Sequence, residues 1–582
     1  MKQKIFFAAT VIAVLVMAGF RYAKESPHFS LQYVSRESVL QKKFIIQCSP
    51  DWNHLNADSL ANGIGVLPGW GNYRWKIITK SDSAQFYFNQ GINMYYAFHI
   101  IEAVASFKKA QQFDESNAII YWAQALAYGP NINDYAYTAT QGAVAAAQKA
   151  VSLAGNCSRK EKALIEAMAV RYSSDSTISR ASLNQRYADA MKKSYSHFKD
   201  DADVATLYAD ALMLQHPWDY WKHNGNAEPW TAEILSVLEA VMSKNAEHPG
   251  ANHYYIHAVE ASTNPQRALP SAARLGTLMP GVAHMVHMPS HIYIRSGNYQ
   301  EGIKVNEMSV KGYNNYLALY PDVQNNVPLY LIHNLHMQTA CAMMRANYKY
   351  SNKSAIDCSQ SFDTSFLSMP VPFGTYMQYL YMAPTINNVR FGKWDIILNA
   401  ASPQDHHIYA KLLWHWSRGM AFARKNNLTE ANNELKIMRG KMKAPDMLVI
   451  MQPFNAPFDA AKVAEKILAG IIAGQQNNFT KAIQLLNEAV ANEDALIYNE
   501  PKDWLLPARE YLGDALLKSG NATKAETIFK EDLKENPNNH WALYGLYQAL
   551  AEQKKNAAAI IIKKQFDKAF EGADIPAGYL VY

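Results

Sequence analysis

A chain of 582 residues, of which 49% are hydrophobic and 18% charged, can form several compact domains or one extended array of repeats. The hydrophobic share excludes an intrinsically disordered chain. Lys and Arg exceed Asp and Glu by only six, and no basic stripe with interleaved aromatic residues is present. Nucleic acid is therefore not an expected partner.

The first residues have the pattern of an export signal. Lys2 and Lys4 precede an unbroken apolar run over residues 5–20, which is shorter than the ~20 residues of a spanning helix and typical of a signal-peptide core. We predict that residues 1–24 are a signal peptide or an uncleaved N-terminal anchor. The protein is then exported, either periplasmic or anchored in the membrane facing the periplasm, and the anchor is the one membrane contact we expect.

Four cysteines are too few and too scattered to form a disulfide framework, and none belongs to a CxxC motif. Cys341 and Cys358 are spaced so that a disulfide across a helical hairpin is one alternative. Separate packed thiols are the other.

Repeats decide the fold, and the clearest one lies at residues 507–537. Its small, turn, small, large and terminating positions are Gly513, Gly520, Ala525, Phe529 and Pro537. A small residue lets the two helices of a hairpin approach, a large one fills the seam between them, and glycine and proline end the helices.

Further copies of this pattern are visible along the chain. The same offsets return at Gly91, Ala103, Phe107 and Ala110, again at Gly470, Phe479, Ala482, Leu486 and Ala489, and more weakly at Gly419, Leu428 and Ala431. Alternating β-branched segments are nearly absent. We predict an all-α fold, a right-handed superhelical solenoid of helical hairpins of the tetratricopeptide-repeat (TPR) type.

The predicted organisation follows from the position of these repeats. Residues 25–80 form an irregular N-terminal segment, and residues 81–400 form an N-terminal TPR-like array with a histidine-rich centre at 248–336. Residues 401–582 form the C-terminal TPR repeats.

Four phrases are more specific than generic repeat positions. They are AYGPNIND at 127–134, HPGANHYYIHAVEAS at 248–262, HMVHMPSHIYIRSGNY at 284–299 and NEPKDWLLPAREYLG at 499–513. In these phrases, and over nearly all of its length after residue 80, the chain resembles a widespread group of bacterial TPR proteins. The resemblance implies an α-helical fold and a bacterial origin, and it implies no particular reaction.

The histidines are concentrated in one block: eight of the 18 lie within residues 248–336. Two pairs are four residues apart and a third is three apart, so the members of each pair share one helix face. The candidate metal ligands are His253, His257, His287, His291, His333 and His336. His284 has the phase of His287 and His291 and is a further candidate.

Imidazoles one helical turn apart are a common way of holding a transition metal, here one ion of Zn, Fe or Cu. Glu260 follows His257 on the same face and is a candidate metal ligand, a partner for an imidazole N–H, or the acid/base of a reaction. No pair belongs to an HExxH motif. A buried polar network of His, Tyr and Glu that fixes the packing of the repeats is the alternative.

Other residues give less direct signals. The aromatic segment 216–221 suits either the wall of a ligand pocket or a plug between repeats. We interpret His406 and His407 as a solvated loop pair and His415 as a core residue. The chain contains no G-x-S-x-G elbow, no Walker loop and no G-x-G-x-x-G fingerprint.

Two functions from different classes remain. In the first, the protein binds a partner protein, a peptide or a small-molecule ligand in the concave groove of the solenoid, as repeat arrays commonly do. In the second, the histidine block makes it a metal-dependent protein or an enzyme, with Glu260 as the catalytic acid/base. The sequence alone leaves open whether the protein is an enzyme.

Overall fold

The computed structural model describes residues 55–133, 137, 139–319, 328–450, 455–575 and 581. The predicted export signal at 1–24, the first part of the predicted irregular segment and Cys48 lie outside these residues. Within the described residues, no helix is both long and apolar enough to cross a membrane.

Where the structure describes it, the chain consists of α-helices joined by short turns, and an isolated bridge between Trp221 and Ala227 is the β-structure found there. The first eleven helices are α1 (Ala57–Gly63), α2 (Asp82–Tyr96), α3 (Ile100–Phe113), α4 (Ala118–Ala127), α5 (Gln141–Leu153), α6 (Arg159–Ala169), α7 (Arg180–His197), α8 (Ala202–Met213), α9 (Thr231–Lys244), α10 (Pro249–Val259) and α11 (Leu269–Leu278). The predicted all-α, TPR-like solenoid is confirmed.

The remaining helices continue the same succession of hairpins. They are α12 (Ala283–His287), α13 (Pro289–Arg295), α14 (Tyr299–Leu319), α15 (Pro328–Met344), α16 (Tyr348–Gln360), α17 (Phe373–Tyr381), α18 (Ala383–Arg390), α19 (Trp394–Asn399), α20 (Ile408–Arg424), α21 (Leu428–Lys441), α22 (Pro457–Gln475), α23 (Phe479–Asp494), α24 (Ala508–Lys518), α25 (Ala522–Glu535), α26 (His540–Glu552) and α27 (Asn556–Phe570). Short 3₁₀ turns lie at Ala154–Asn156, Pro265–Ala268, Thr364–Ser368 and Pro445–Leu448.

The seams of the hairpins are as the repeat pattern predicts. A Cβ atom on Gly513 would lie 2.2 Å from a ring carbon of Phe529, so only glycine lets α24 and α25 approach this closely. A Cβ atom on Gly91 of α2 would likewise lie 2.5 Å from a ring carbon of Phe107 of α3. Gly520 ends α24 with φ at 76°, in the left-handed region that favours glycine.

One turn geometry recurs between the helices of these hairpins. A residue in the left-handed region directly precedes the N-cap residue of the next helix, as at Gly520, Asn477 and Asn426. Glycine and asparagine tolerate this conformation best. In the first hairpin, between α2 and α3, the position is occupied by Phe98, with φ at 57°.

The buried side chains fall into two large clusters. One extends from Ile64 to Ile292 and the other from Ala283 to Ile575. The chain passes from one to the other around α12 and α13, which belong to the histidine-rich centre. The predicted division between residues 400 and 401 stays a prediction.

The array also makes contacts between segments that are far apart in the sequence. The backbone N–H of Gly281 donates to the carbonyl of Gly69 at 3.0 Å, and α10 packs against α2. The indole N–H of Trp541 donates to the carbonyl of Met343 at 3.0 Å. Because of these closures, residues from opposite ends of the chain reach the histidine-rich centre.

The disulfide alternative is wrong. Cys341 and Cys358 are both buried and free. Cys341 packs against Gly302 of α14, whereas the thiol of Cys358 lies 3.8 Å from the carbonyl of Ile332 on α15. The two thiols face different neighbours.

Candidate metal centre

The first histidine pair lies on α10, whose start is fixed by its own sequence. His248 is the N-cap: its Nδ1 accepts the backbone N–H of Ala251 at 3.1 Å, and Pro249 occupies the first helical position. One turn into the helix, His253 and His257 are fully buried, and their Nε2 atoms are 3.1 Å apart. The predicted pairing of these two imidazoles on one face is confirmed.

Both imidazoles of this pair are oriented by contacts that their Nδ1 atoms make with neighbouring oxygen atoms. Nδ1 of His253 lies 2.6 Å from the backbone carbonyl of Tyr96 and must donate to it. Nδ1 of His257 lies 3.3 Å from Oε1 of Glu260. With Nδ1 as the donor in these contacts, each imidazole turns its Nε2 atom toward the other.

The second pair lies where α12 ends and α13 begins. Pro289 restarts the helix just before His291, as predicted. Nε2 of His287 and Nε2 of His291 are 2.9 Å apart. Nδ1 of His287 donates to Oδ1 of Asn306 at 2.7 Å, and the amide N–H₂ of Asn306 donates to the carbonyl of Gly302, which fixes the orientation of that amide.

The third predicted pair separates in the structure. Nε2 of His333 lies 3.4 Å from Nε2 of His291 and joins the second pair. His336 turns away from it, and its ring packs edge-on against Tyr379 at a centroid distance of 5.3 Å. Their neighbours on other helices separate the two residues, since His333 meets His291 of α13 and His336 meets Tyr379 of α17.

His284 completes a second group. It is buried, and its ring centroid lies 5.1 Å from that of His253. Among the described residues, neither of its ring nitrogens has a hydrogen-bond partner. The imidazoles therefore form two groups of three, and within each group the potential ligand atoms lie within 4.8 Å of one another: His253, His257 and His284, and His287, His291 and His333.

Two glutamates lie beside these groups. Oε2 of Glu260 is 2.8 Å from Nδ1 of His291, while its Oε1 faces His257, so one carboxylate contacts an imidazole of each group. Oε2 of Glu500 lies 2.7 Å from the same Nδ1 of His291. Of the roles predicted for Glu260, this geometry fits the partner of imidazole N–H groups and also a metal ligand, because potential ligand atoms of Glu260, His291 and Glu500 lie within 4.8 Å of one another. The acid/base role stays a prediction.

The buried charges shift the pKa values of this centre strongly. Burial lowers the pKa of His291, but Glu260 and Glu500 outweigh this effect and raise it to about 10. Burial raises the pKa of Glu260, but His291 and His257 bring it down to about 2. Burial raises the pKa of Glu500 to about 7. The centre therefore combines an ionised carboxylate with an imidazole that readily takes a positive charge.

Four of the other imidazoles are neutral, because burial holds their pKa values far below the usual range. This applies to His253, His284, His287 and His333, and neighbouring imidazoles lower the values further. A neutral imidazole is the form that ligates a metal.

The aromatic segment 216–221 packs against this centre. The indole N–H of Trp218 donates to the carbonyl of Ile132 at 3.0 Å, and its ring lies edge-on to His257 at 5.2 Å. His216 stacks on Trp230 with centroids 3.5 Å apart. The segment is thus a packed plug, and one face of it forms a wall of the histidine centre.

The remaining histidines lie elsewhere. His406 is exposed, as predicted, whereas His407 is buried, so the prediction of a solvated pair is wrong for His407. Both rings contact the hydroxyl of Ser368, at 3.1 and 2.9 Å. His415 is buried, and its Nδ1 lies 2.5 Å from the carboxylate of Glu434.

The sequence reasoning missed Glu500 and gave no role to Asn306 or Tyr96. A signal for Glu500 was nevertheless present, because it lies in the phrase at 499–513. Residues of all four phrases meet here. From the first phrase, the carbonyl of Ile132 accepts the indole N–H of Trp218, and the second and third phrases supply His253 and His291 of the two groups. From the fourth phrase, Glu500 contacts His291.

No protein-family model and no curated protein sequence matches the chain. Among solved structures, it is similar to the human IFIT1 dimer with m7Gppp-AAAA, at 11% identity and a TM-score of 0.28, over 86% of this chain and 92% of that chain. It is also similar to the TPR domain of P58(IPK), at 11% identity and a TM-score of 0.22, over 81% of this chain and 99% of that chain. A third similar structure is yeast Tom70, at 13% identity and a TM-score of 0.25, over 86% of this chain and 93% of that chain. At this level, the likenesses carry no argument about partners or reactions.

Proposed function

We propose that the protein is an exported helical-repeat protein that binds a divalent transition-metal ion through His287, His291 and His333. The observation that carries the proposal is the approach of their Nε2 atoms, at 2.9 Å between His287 and His291 and 3.4 Å between His291 and His333. The proposed export depends on the N-terminal signal pattern alone.

Hydrogen bonding explains why this approach favours a cation. Nδ1 of His287 donates to Asn306, and Nδ1 of His291 faces two carboxylates, so each imidazole, when it holds a single proton, carries it on the outer nitrogen. The inner lone pairs then repel each other unless a positive charge lies between them. An ion with Zn–N bonds of about 2.0–2.1 Å in tetrahedral geometry keeps its ligand nitrogens about 3.3–3.4 Å apart.

The outer contacts are of the kind that metal-binding histidines make. Such residues almost always donate the second ring N–H to a carboxylate, a carbonyl or a water, which fixes the tautomer and makes the inner nitrogen more basic. His287 has an amide carbonyl in this position, and His291 has Glu260 and Glu500. A donor set of three imidazoles suits Zn, Cu, Ni or Fe.

A proton is the competing occupant. With its raised pKa, His291 in the doubly protonated form donates from Nε2 to the lone pairs of His287 and His333, and a buried polar network without metal results. A concave-groove partner, the other predicted function, rests on the helical-repeat scaffold. The contacts of this centre support the metal function more directly.

The test is elemental analysis of the purified protein, after reconstitution with Zn²⁺, Cu²⁺ or Fe²⁺ and removal of free ion by gel filtration. His287→Gln is expected to lose the ion held by this group while the fold is retained. His336→Gln is the matched control, since His336 is also a buried histidine but lies against Tyr379, outside the group. Equal metal content in the two variants would contradict the proposal.

A further inference from the structure

We infer that the protein holds a second metal ion, bound by His253, His257 and His284. This inference extends the proposed function from one ion to a two-ion centre. It has its own evidence, because none of these three imidazoles belongs to the first group.

The strongest observation is the condition of His284. Its side chain is only 4% exposed, and in the described part of the chain both of its nitrogens lack a hydrogen-bond partner. A buried polar group without a partner is costly, and native proteins rarely keep one without a reason. One of its nitrogens lies within 4.8 Å of a potential ligand atom on both His253 and His257, so an ion at that place would satisfy it.

The other two imidazoles are prepared for the same ion. The carbonyl of Tyr96 accepts a hydrogen bond from the Nδ1–H of His253, and Glu260 faces Nδ1 of His257. Their Nε2 lone pairs then meet at 3.1 Å. A cation between two such nitrogens turns a repulsion into two bonds, as in the first group.

The wall of this site is built by an unusual residue in the recurrent hairpin turn. Phe98 occupies the left-handed position that glycine or asparagine holds in most of the other hairpins. Its ring lies against all three imidazoles, with centroids 4.6, 5.9 and 6.1 Å from His253, His257 and His284. An apolar wall that excludes water strengthens the bond between an ion and its ligands.

Glu260 connects the two sites. Its Oε1 faces His257 of the second site and its Oε2 faces His291 of the first, so one negative charge lies near both ions. This shared carboxylate reduces the repulsion between two dications. The imidazole donors again select Zn²⁺, Cu²⁺ or a similar ion rather than Ca²⁺ or Mg²⁺.

The wild-type protein tests the stoichiometry without any variant. Metal-free protein is titrated with Co²⁺ while the visible d–d absorption is recorded, and with Zn²⁺ followed by gel filtration and elemental analysis. We expect both titrations to saturate at two equivalents. Saturation at one equivalent overturns the two-ion inference and leaves the proposed function intact, whereas no binding overturns both.

Variants then assign each ion. His284→Gln and His287→Gln are each expected to retain one equivalent, and the double variant none. His336→Gln is expected to retain two, and circular dichroism checks the fold of each variant. Two equivalents in His284→Gln would overturn the second site, and two equivalents in His287→Gln would overturn the first.

Discussion

Oε2 of Glu500 lies 2.7 Å from Nδ1 of His291, in a contact that joins the last part of the chain to its centre. Tyr498 also donates its hydroxyl to Oε1 of Glu500, which holds the carboxylate in place. The histidine centre is therefore completed by a residue that enters it only because the solenoid closes on itself.

This contact predicts a measurable effect of Glu500→Gln on metal affinity. The variant keeps every imidazole ligand but removes a negative charge beside His291, so we expect an affinity about 10–100-fold weaker, as for other partners of metal-bound histidines. Competition with a chromophoric chelator measures it. The exposed Glu535→Gln is the control, and an unchanged affinity in Glu500→Gln would mean that Glu500 does not act on a metal.

The hairpin seam predicts opposite effects for two glycine substitutions. In Gly513→Ala, the new methyl group would lie 2.2 Å from the ring of Phe529, so we expect a loss of about 1–3 kcal/mol in the free energy of unfolding. In Gly440→Ala on α21, nothing lies within 4 Å, and alanine's helix propensity is expected to add up to about 1 kcal/mol. Urea unfolding measures the free energy of unfolding of both variants. Equal effects would contradict the close approach of Gly513 to Phe529.

A buried ion pair predicts a large cost for Glu510→Gln. Glu510 forms a bidentate ion pair with Arg390, and both side chains are buried. The amide of Asn539 also donates to Glu510 at 2.7 Å. Removing one partner leaves a buried charge unpaired, which costs about 3–5 kcal/mol. The control is Asp395→Asn, which breaks an exposed pair with Lys425 and is expected to cost about 1 kcal/mol or less.

The burial of His336 predicts an effect of pH on folding stability that is separate from metal binding. Burial lowers its pKa from 6.5 to about 3 in the folded protein. As the pH falls below 6.5, the unfolded state binds a proton that the folded state does not, so stability is lost between pH 6.5 and 3, by up to about 1.4 kcal/mol per pH unit.

His336→Gln removes this term. Its free energy of unfolding is expected to fall less steeply than that of the wild type between pH 6 and 4. Above pH 7.5, the two proteins are expected to have the same slope of this free energy with pH. Denaturant unfolding of metal-free protein at several pH values measures both slopes. Parallel curves would show that His336 does not titrate as its burial implies.

The sequence predicts the helical hairpins well, because the seam is a local feature. Gly91 and Gly513 each meet a phenylalanine of the same hairpin, and turn and seam residues recur at fixed offsets. The pairs on α10 and at α12–α13 are predictable for the same reason, since residues one helical turn apart share a face.

The rest of the centre depends on how distant helices pack. Glu500 reaches His291 through closure of the array, and Tyr96 offers its carbonyl to His253 because α2 packs on α10. Helical spacing does not separate His333 from His336 either. Their neighbours on other helices decide which one enters the group.

Anomalous diffraction from crystals of the metal-loaded protein, recorded on both sides of the absorption edge of the metal, tests the central claim most directly. We predict a peak about 2.0–2.1 Å from the Nε2 atoms of His287, His291 and His333. A protein that takes up metal but shows its peaks only at exposed histidines such as His406, with none at this group, would contradict the proposed centre.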